Sequence, residues 1–214
     1  MAGKQSQLRI ATPDDVHAIA RLESASWPDG LAANTAQVAE RVATFPEGQW
    51  ITIDDGDIVG YSSAQRVPRN WFATLKNEGT LCYDMVTDNN RFRRTHIGDG
   101  EWYQLVGVAT APALRGRGLA RLLIDHQVAH GHGLPGVEKV VGFTRPVAVP
   151  GSSGSTLQDH VASHMTGSLR DPVLGFHLDA GAHVVSLHPG FRLADVQSHG
   201  SAVLIEYPPL HTAQ

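Results

Sequence analysis

The stretch VGVATAPALRGRGLARLLIDH, residues 106–126, decides how this chain is read. An apolar run ends at one proline, Pro112, and Arg115-Gly116-Arg117-Gly118 follows at the mouth of a helical pattern expected over 116–131. Glycine costs about 1 kcal/mol against alanine inside a helix. Two glycines in a first turn therefore imply that something comes close to the backbone there. A helix N-terminus presents unpaired N–H groups and roughly half a positive charge, which makes it a ready anion site. Gly116 and Gly118 remove side chains that would block a phosphate, and Arg115 and Arg117 add planar, fork-shaped cations. The turn suits a pyrophosphate. A plain helix start with surface arginines is the alternative reading of the same spacing.

Outward from that turn, elements follow by pattern. LRIA (8–11) reads as a strand. Thr12, Pro13, Asp14 and Asp15 open a helix, whose buried stripe runs Val16, Ile19, Ala20, Glu23. Asn34 caps a second helix over 34–44, and Asp55-Gly56 turns a hairpin. Residues 101–112 form a central strand, apolar on both faces after Gln104. After the helix at 116–131 come a strand at EKVVGFT, a helix capped by Asp171 with Pro172 at its first position, and two closing strands. Segments 68–100 and 145–170 read as loop-like insertions, with short helical pieces near 70–76, 80–86 and 157–165. The order β-α-α-β-β-β-α-β-α-β-β describes a mixed α/β or α+β chain around one sheet, with no repeat and no clear domain boundary over 1–214.

Composition narrows the function classes. The 214 residues are 42% hydrophobic and carry a net charge of −4, which gives no global pull toward nucleic acid or an anionic membrane. The lone Cys82 cannot close an internal disulfide and fits a reducing compartment. The first residues contain no apolar signal-peptide core, and no run approaches the ~18 apolar residues of a membrane span. The expectation is a cytoplasmic protein. The 12 histidines are scattered without ligand spacing, so no metal is expected.

The segment RGRGLA (115–120), with Arg115, Gly118 and Ala120, fits the Gln/Arg-x-x-Gly-x-Gly/Ala signature that follows a central strand in the GNAT family, the GCN5-related N-acetyltransferases. Pro112 and the element order over 8–207 extend this resemblance. It implies a GNAT acyl-CoA N-acyltransferase fold: a central, mostly antiparallel sheet with a splayed pair at its fourth and fifth strands, flanked by helices. It implies acetyl-CoA or another acyl-CoA as co-substrate. Val108, Ala109 and Thr110 would bond the pantetheine arm. The amides of Arg115, Gly116, Arg117, Gly118, Leu119 and Ala120 would meet the pyrophosphate.

The resemblance also places catalytic positions. Many family members carry a tyrosine acid in a pattern that aligns here with DPVLGFHLDAGA, setting Phe176 at the family's phenylalanine and His177 at its tyrosine. An imidazole with a pKa near ~6.5 could donate that proton; a solvated or structural histidine is the competing reading. Where histone-type members place a glutamate base, this chain has Gln104. Glu101 is the substitute candidate, or else a solvated strand-end carboxylate. Tyr83, Asp84, His96 and Asp99 could also reach an acceptor, and a water relay would need none of them. Trp71, Phe72 and Tyr83 could line an acceptor pocket, pack in the core or form a dimer contact. Arg91, Arg93 and Arg94 could bind an anionic acceptor, a carrier protein or RNA, or form a solvated loop.

Three functions stay open. The first is acyl transfer from a CoA thioester to a small-molecule amine, in bacterial secondary metabolism or self-resistance. The second is transfer from a carrier-protein- or tRNA-linked donor, and the third is a non-catalytic acyl-CoA-binding module. A homodimer is expected at family level.

Overall fold

The computed structural model describes residues 6–147 and 156–209. Residues 148–155, the Pro- and Gly/Ser-rich part of the expected 145–170 insertion, lie outside the described residues.

Seven strands form one sheet: β1 (Gln7–Ile10), β2 (Gln49–Asp54), β3 (Asp57–Val67), β4 (Trp102–Thr110), β5 (Lys139–Thr144), β6 (His183–His188) and β7 (Ala202–Tyr207). Their order across the sheet is β1-β2-β3-β4-β5-β7-β6. Every neighbouring pair is antiparallel except β4 and β5. The helices are α1 (Val16–Ser26), α2 (Thr35–Thr44), α3 (Trp71–Asn77), α4 (Tyr83–Thr87), α5 (Leu119–Gly133), α6 (Leu157–Met165) and α7 (Pro172–Asp179). No described helix is long and apolar enough to cross a membrane.

Local chemistry sets most boundaries. The Asn34 side chain accepts from Gln37 N at 3.0 Å, and the Gln37 side chain accepts from Asn34 N at 2.8 Å, a reciprocal cap that starts α2. Asp171 Oδ1 accepts from Val173 N and Leu174 N at 2.9 and 2.8 Å, which starts α7 behind Pro172. Asp55 and Gly56 both take positive φ, 51° and 87°, as a two-residue hairpin turn requires.

Alternation along the strands divides the core between two faces. Val203, Ile205 and Tyr207 of β7 point to the face covered by α5, α6 and α7, with Ile124, Val128, Val161 and Leu174. Ala202 and Leu204 point to the other face, with Phe72, Leu75 and Val86. Ile51, Tyr61 and Ala109 meet α1 and α2 on that second face.

Two expectations change. The helix after the motif begins at Leu119, not at 116, and residues 115–118 form a turn before it. Gly116 and Gly118 have φ of 82° and 81°, the left-handed region that only glycine enters freely. The glycines are there because the turn bends the other way, not because they are tolerated inside a helix. Segment 68–100 carries its short helices close to where they were expected, but it is packed against the core and is not an open loop. It holds α3 and α4 and buries Phe72, Val86 and Phe92 to 5%, 0% and 0% exposure.

Candidate active site

The sheet opens where its one parallel pair ends. β4 pairs with β5 only from Trp102 to Leu105, against Lys139 to Gly142. On its other side β4 stays with β3 as far as Thr110, but the register slips: Leu105 faces Ala64 and Gly107 faces Ser63, so Val106 has no partner. An extra residue of this kind bends a strand and increases its twist. The bulge sits at the point of divergence, and the C-terminal half of β4 turns away from β5.

The gap is a cavity of about 690 Å³. Its walls include Val106 to Thr110 of β4, Gly142 to Arg145 at the end of β5, and Phe176 and His177 of α7. Arg115 and Ala120 lie at one part of its rim, and Tyr83, Phe191 and Arg192 line another. Backbone groups of β4 from Val106 onward have no strand beside them on the β5 side, so an extended polar chain could bond there as an added strand would. Beyond Thr110 the turn at 115–118 leads into α5. Among the described residues, the amides of Gly116, Gly118, Leu119 and Ala120 donate to no backbone carbonyl outside the helix. Arg115 reaches only the Ser26 carbonyl, at 3.0 Å. A cradle of free amides, flanked by two unpaired arginines and open above both glycines, fits a diphosphate.

His177 Nδ1 lies 2.5 Å from the Tyr207 hydroxyl. Burial lowers the His177 pKa to about 4, so the ring is neutral at pH 7. Burial also raises the Tyr207 pKa far above its ordinary value, so its proton stays. That hydroxyl therefore donates to Nδ1, which leaves the His177 proton on Nε2 as a hydrogen-bond donor. With the ring neutral, the proton that His177 can offer the cavity is the one on Nε2. Thr144, 3% exposed and lining the cavity, has an Oγ1 with no partner among the described residues. Asp195 is the one carboxylate among the lining residues. Arg145 binds it through two bonds of 2.5 and 2.6 Å, which keeps it ionised. Arg192 lies with its guanidinium carbon 3.7 Å from the Tyr83 ring centroid and donates to the Leu31 carbonyl at 2.8 Å. No carboxylate among the described residues lies within ion-pair distance of it.

Other candidates lie elsewhere. Glu101 sits beyond the N-terminal end of β4, away from the opening, and is tied to Arg69 at 3.2 Å. Gln104 is buried in a hydrogen bond from Gln65 at 2.9 Å. His96 accepts from Arg66 N at 3.1 Å and stacks on Phe45. Asp84 and Asp99 are exposed. Of Trp71, Phe72 and Tyr83, Tyr83 lines the cavity while Trp71 and Phe72 pack in the core. Arg91 pairs with Glu40 at 2.7 Å and Arg94 with Asp88 at 2.5 Å, so that run is neutralised locally. Sequence reading passed over Thr144, Arg192 and Tyr207. A threonine at a strand end, an arginine in a loop and a tyrosine in a closing strand carry no spacing signal. No group of three metal-ligating side chains occurs among the described residues.

Comparison with known proteins now has a geometry to meet. The family model described as "Acetyltransferase (GNAT) family" matches residues 16–147. A solved structure described as the GphF GNAT-like decarboxylase in complex with isobutyryl-CoA is 33% identical, with a TM-score of 0.81, over 94% of this chain and 98% of that one. The loading GNATL domain of CurA from Lyngbya majuscula is 27% identical, with a TM-score of 0.83, over 97% of this chain and 100% of that one. A curated relative from Bacillus subtilis (strain 168), the uncharacterized N-acetyltransferase YkwB, is 25% identical over 94% of this chain and 87% of its own length. The splayed strands, the glycine turn and these likenesses agree: this chain belongs to the GNAT acetyltransferase family and is an acyltransferase that uses a coenzyme A thioester.

Proposed function

We propose that this enzyme takes an acyl-CoA whose acyl group carries a carboxylate, removes that carboxylate as CO2, and passes the remaining acyl group to a thiol acceptor. The observation that carries the reading is the balance of charge in the cavity. Arg192 has no carboxylate partner among the described residues, while the one lining carboxylate, Asp195, is held by Arg145. A carboxylated acyl group supplies the missing anion. The 33% identity to a GNAT-like decarboxylase supports the same chemistry.

The donor lies along β4, with the backbone of Val108, Ala109 and Thr110 bonding its pantetheine arm. Its diphosphate meets the free amides of Gly116, Gly118, Leu119 and Ala120, beside the side chains of Arg115 and Arg117. Arg192 holds the acyl carboxylate. The carbon–carbon bond to that carboxylate breaks, CO2 leaves, and the electron pair passes into the thioester as an enolate. The unpartnered Thr144 hydroxyl and the His177 Nε2–H donate to the enolate oxygen, the kind of preset donor pair that lowers such barriers. Water protonates the enolate carbon and leaves an ordinary acyl thioester. A thiol then attacks the carbonyl, and the CoA thiolate departs with its proton restored by solvent.

A thiol acceptor suits the site because a thiol ionises near pH ~8.5 and needs little help to become a thiolate. An amine is protonated at neutral pH and needs a base. Glu101 is outside the cavity and Asp195 is committed to Arg145. The small-molecule amine expected from the sequence is the opposite outcome of the same experiment.

The test is mass spectrometry of the enzyme with malonyl-CoA or acetyl-CoA, with N-acetylcysteamine or a primary amine as acceptor. Conversion of malonyl-CoA to acetyl-CoA, then transfer to the thiol, is the expected result. Thr144→Val should lower the decarboxylation kcat about 100-fold, the usual cost of one oxyanion donor. Its melting temperature should hold or rise, because the variant removes a buried hydroxyl that lacks a partner. Acetyl transfer to the amine with no loss of CO2 overturns the reading.

A further inference from the structure

We infer that Asn90 is a positioning residue for the acyl pocket: through Tyr83 it sets the place of Arg192, and so sets the preference for a carboxylated acyl group. The inference rests on the proposed function. Asn90 is 7% exposed and does not line the cavity. Its side-chain Oδ1 accepts from the Tyr83 hydroxyl at 2.5 Å and also from the Arg41 guanidinium. Its backbone carbonyl accepts from Arg41 Nε at 2.8 Å. Arg41 is 3% exposed and finds neutral oxygens rather than a carboxylate: both oxygens of Asn90 and, at 3.3 Å, Ser63 Oγ. Ser63 in turn faces Gly107 across the sheet, beside the β4 bulge.

The backbone is bent to make this arrangement. Asp88, Asn89, Asn90 and Phe92 all take positive φ, between 49° and 69°, and none is glycine. Asparagine enters that region more easily than most residues, and Phe92 is held by complete burial under Arg41. One residue thus presents two acceptors to a buried cation and spends the second valence of one of them on Tyr83. The Tyr83 ring is the platform on which Arg192 lies. A planar guanidinium stacked on a fixed ring has fewer orientations to lose on meeting a carboxylate. A ring free to rotate away would leave Arg192 held only by the Leu31 carbonyl.

The experiment compares binding of two thioether analogues that can be neither decarboxylated nor transferred, S-(2-carboxyethyl)-CoA and its uncharged isostere S-propyl-CoA. Calorimetry is done on wild type, Asn90→Gly, Asn90→Asp and Arg192→Met, with circular dichroism melts to confirm folding. Glycine relieves the backbone while removing Oδ1, and aspartate keeps the acceptor. Wild type should prefer the carboxylated analogue, and Arg192→Met should lose that preference. Asn90→Gly should weaken the carboxylated analogue about tenfold with S-propyl-CoA unchanged, and Asn90→Asp should restore the ratio. If Arg192→Met loses the preference but Asn90→Gly keeps it, or weakens both analogues alike, the role of Asn90 is overturned and the proposed function stands. If wild type shows no preference, the proposed function fails and takes this inference with it.

Discussion

The turn at 115–118 and the turn at 88–92 both run through positive φ, with opposite materials. The first uses glycine at each left-handed position, φ 82° and 81°, and leaves Arg115 and Arg117 without ion-pair partners among the described residues. The second uses Asp88, Asn89, Asn90 and Phe92, and its arginines are paired with Glu40 and Asp88. A turn that must receive a ligand's phosphates keeps its backbone amides bare and its conformation cheap. A turn that must stay in one place behind a pocket can carry strain, because buried contacts hold it. The strain is of order 1–2 kcal/mol for each left-handed non-glycine residue, and the bonds to Arg41 and the burial of Phe92 oppose it.

The largest effect expected from breaking this contrast is at the glycine turn. Gly118→Val has open space for its side chain but the wrong backbone preference. Titration with CoA should show about 100-fold weaker binding, ~2.7 kcal/mol, as the amides swing out of register. Binding within threefold of wild type would mean the turn is structural only.

The cavity wall at His177 responds to acid. An unfolded histidine takes up a proton near pH ~6.5, while folded His177 refuses it until about pH 4. Between those values the unfolded chain binds the extra proton, so stability is full above ~6.5, falls as pH drops toward 4 and levels off below. His96, His126, His130 and His188 are also lowered by burial and act in the same direction. Urea unfolding should show stability falling over that window. His177→Phe should have a shallower slope than wild type; equal slopes would place the effect elsewhere.

A smaller effect separates strain from bonding in the second turn. Asn90→Ala and Asn90→Gly lose the same side-chain acceptor, but only alanine keeps the cost of φ 68°. Alanine should be less stable than glycine by about 1 kcal/mol in chemical denaturation. A reversed order would show that the turn relaxes when Asn90 is cut back.

The smallest effect is at Arg115. It is exposed and bonded only to the Ser26 carbonyl, so Arg115→Ala should weaken CoA binding about threefold at low salt and less at high salt. Salt independence would remove its role as a phosphate cation.

What was legible in the sequence follows from how local each signal is. The reciprocal cap at Asn34, the Asp171-Pro172 helix start, the Asp55-Gly56 hairpin and the glycine turn are each complete within a few residues, because capping and left-handed turns are satisfied by near neighbours. The glycine motif and the order of the elements together point to the family fold. His177 was placed by counting along one helix, but its protonation was not, since the burial that lowers its pKa comes from segments distant in the chain. Thr144, Arg192 and the Tyr83–Asn90 pair come from three separate stretches, and no spacing links the three. Only the slip of register at Val106, which opens the sheet, and the buried cation of Arg41, which holds Asn90 behind Tyr83, bring Thr144, Arg192 and Tyr83 to one cleft. Local bonding writes the fold into short motifs, whereas charge balance in a cavity is a property of the assembled walls.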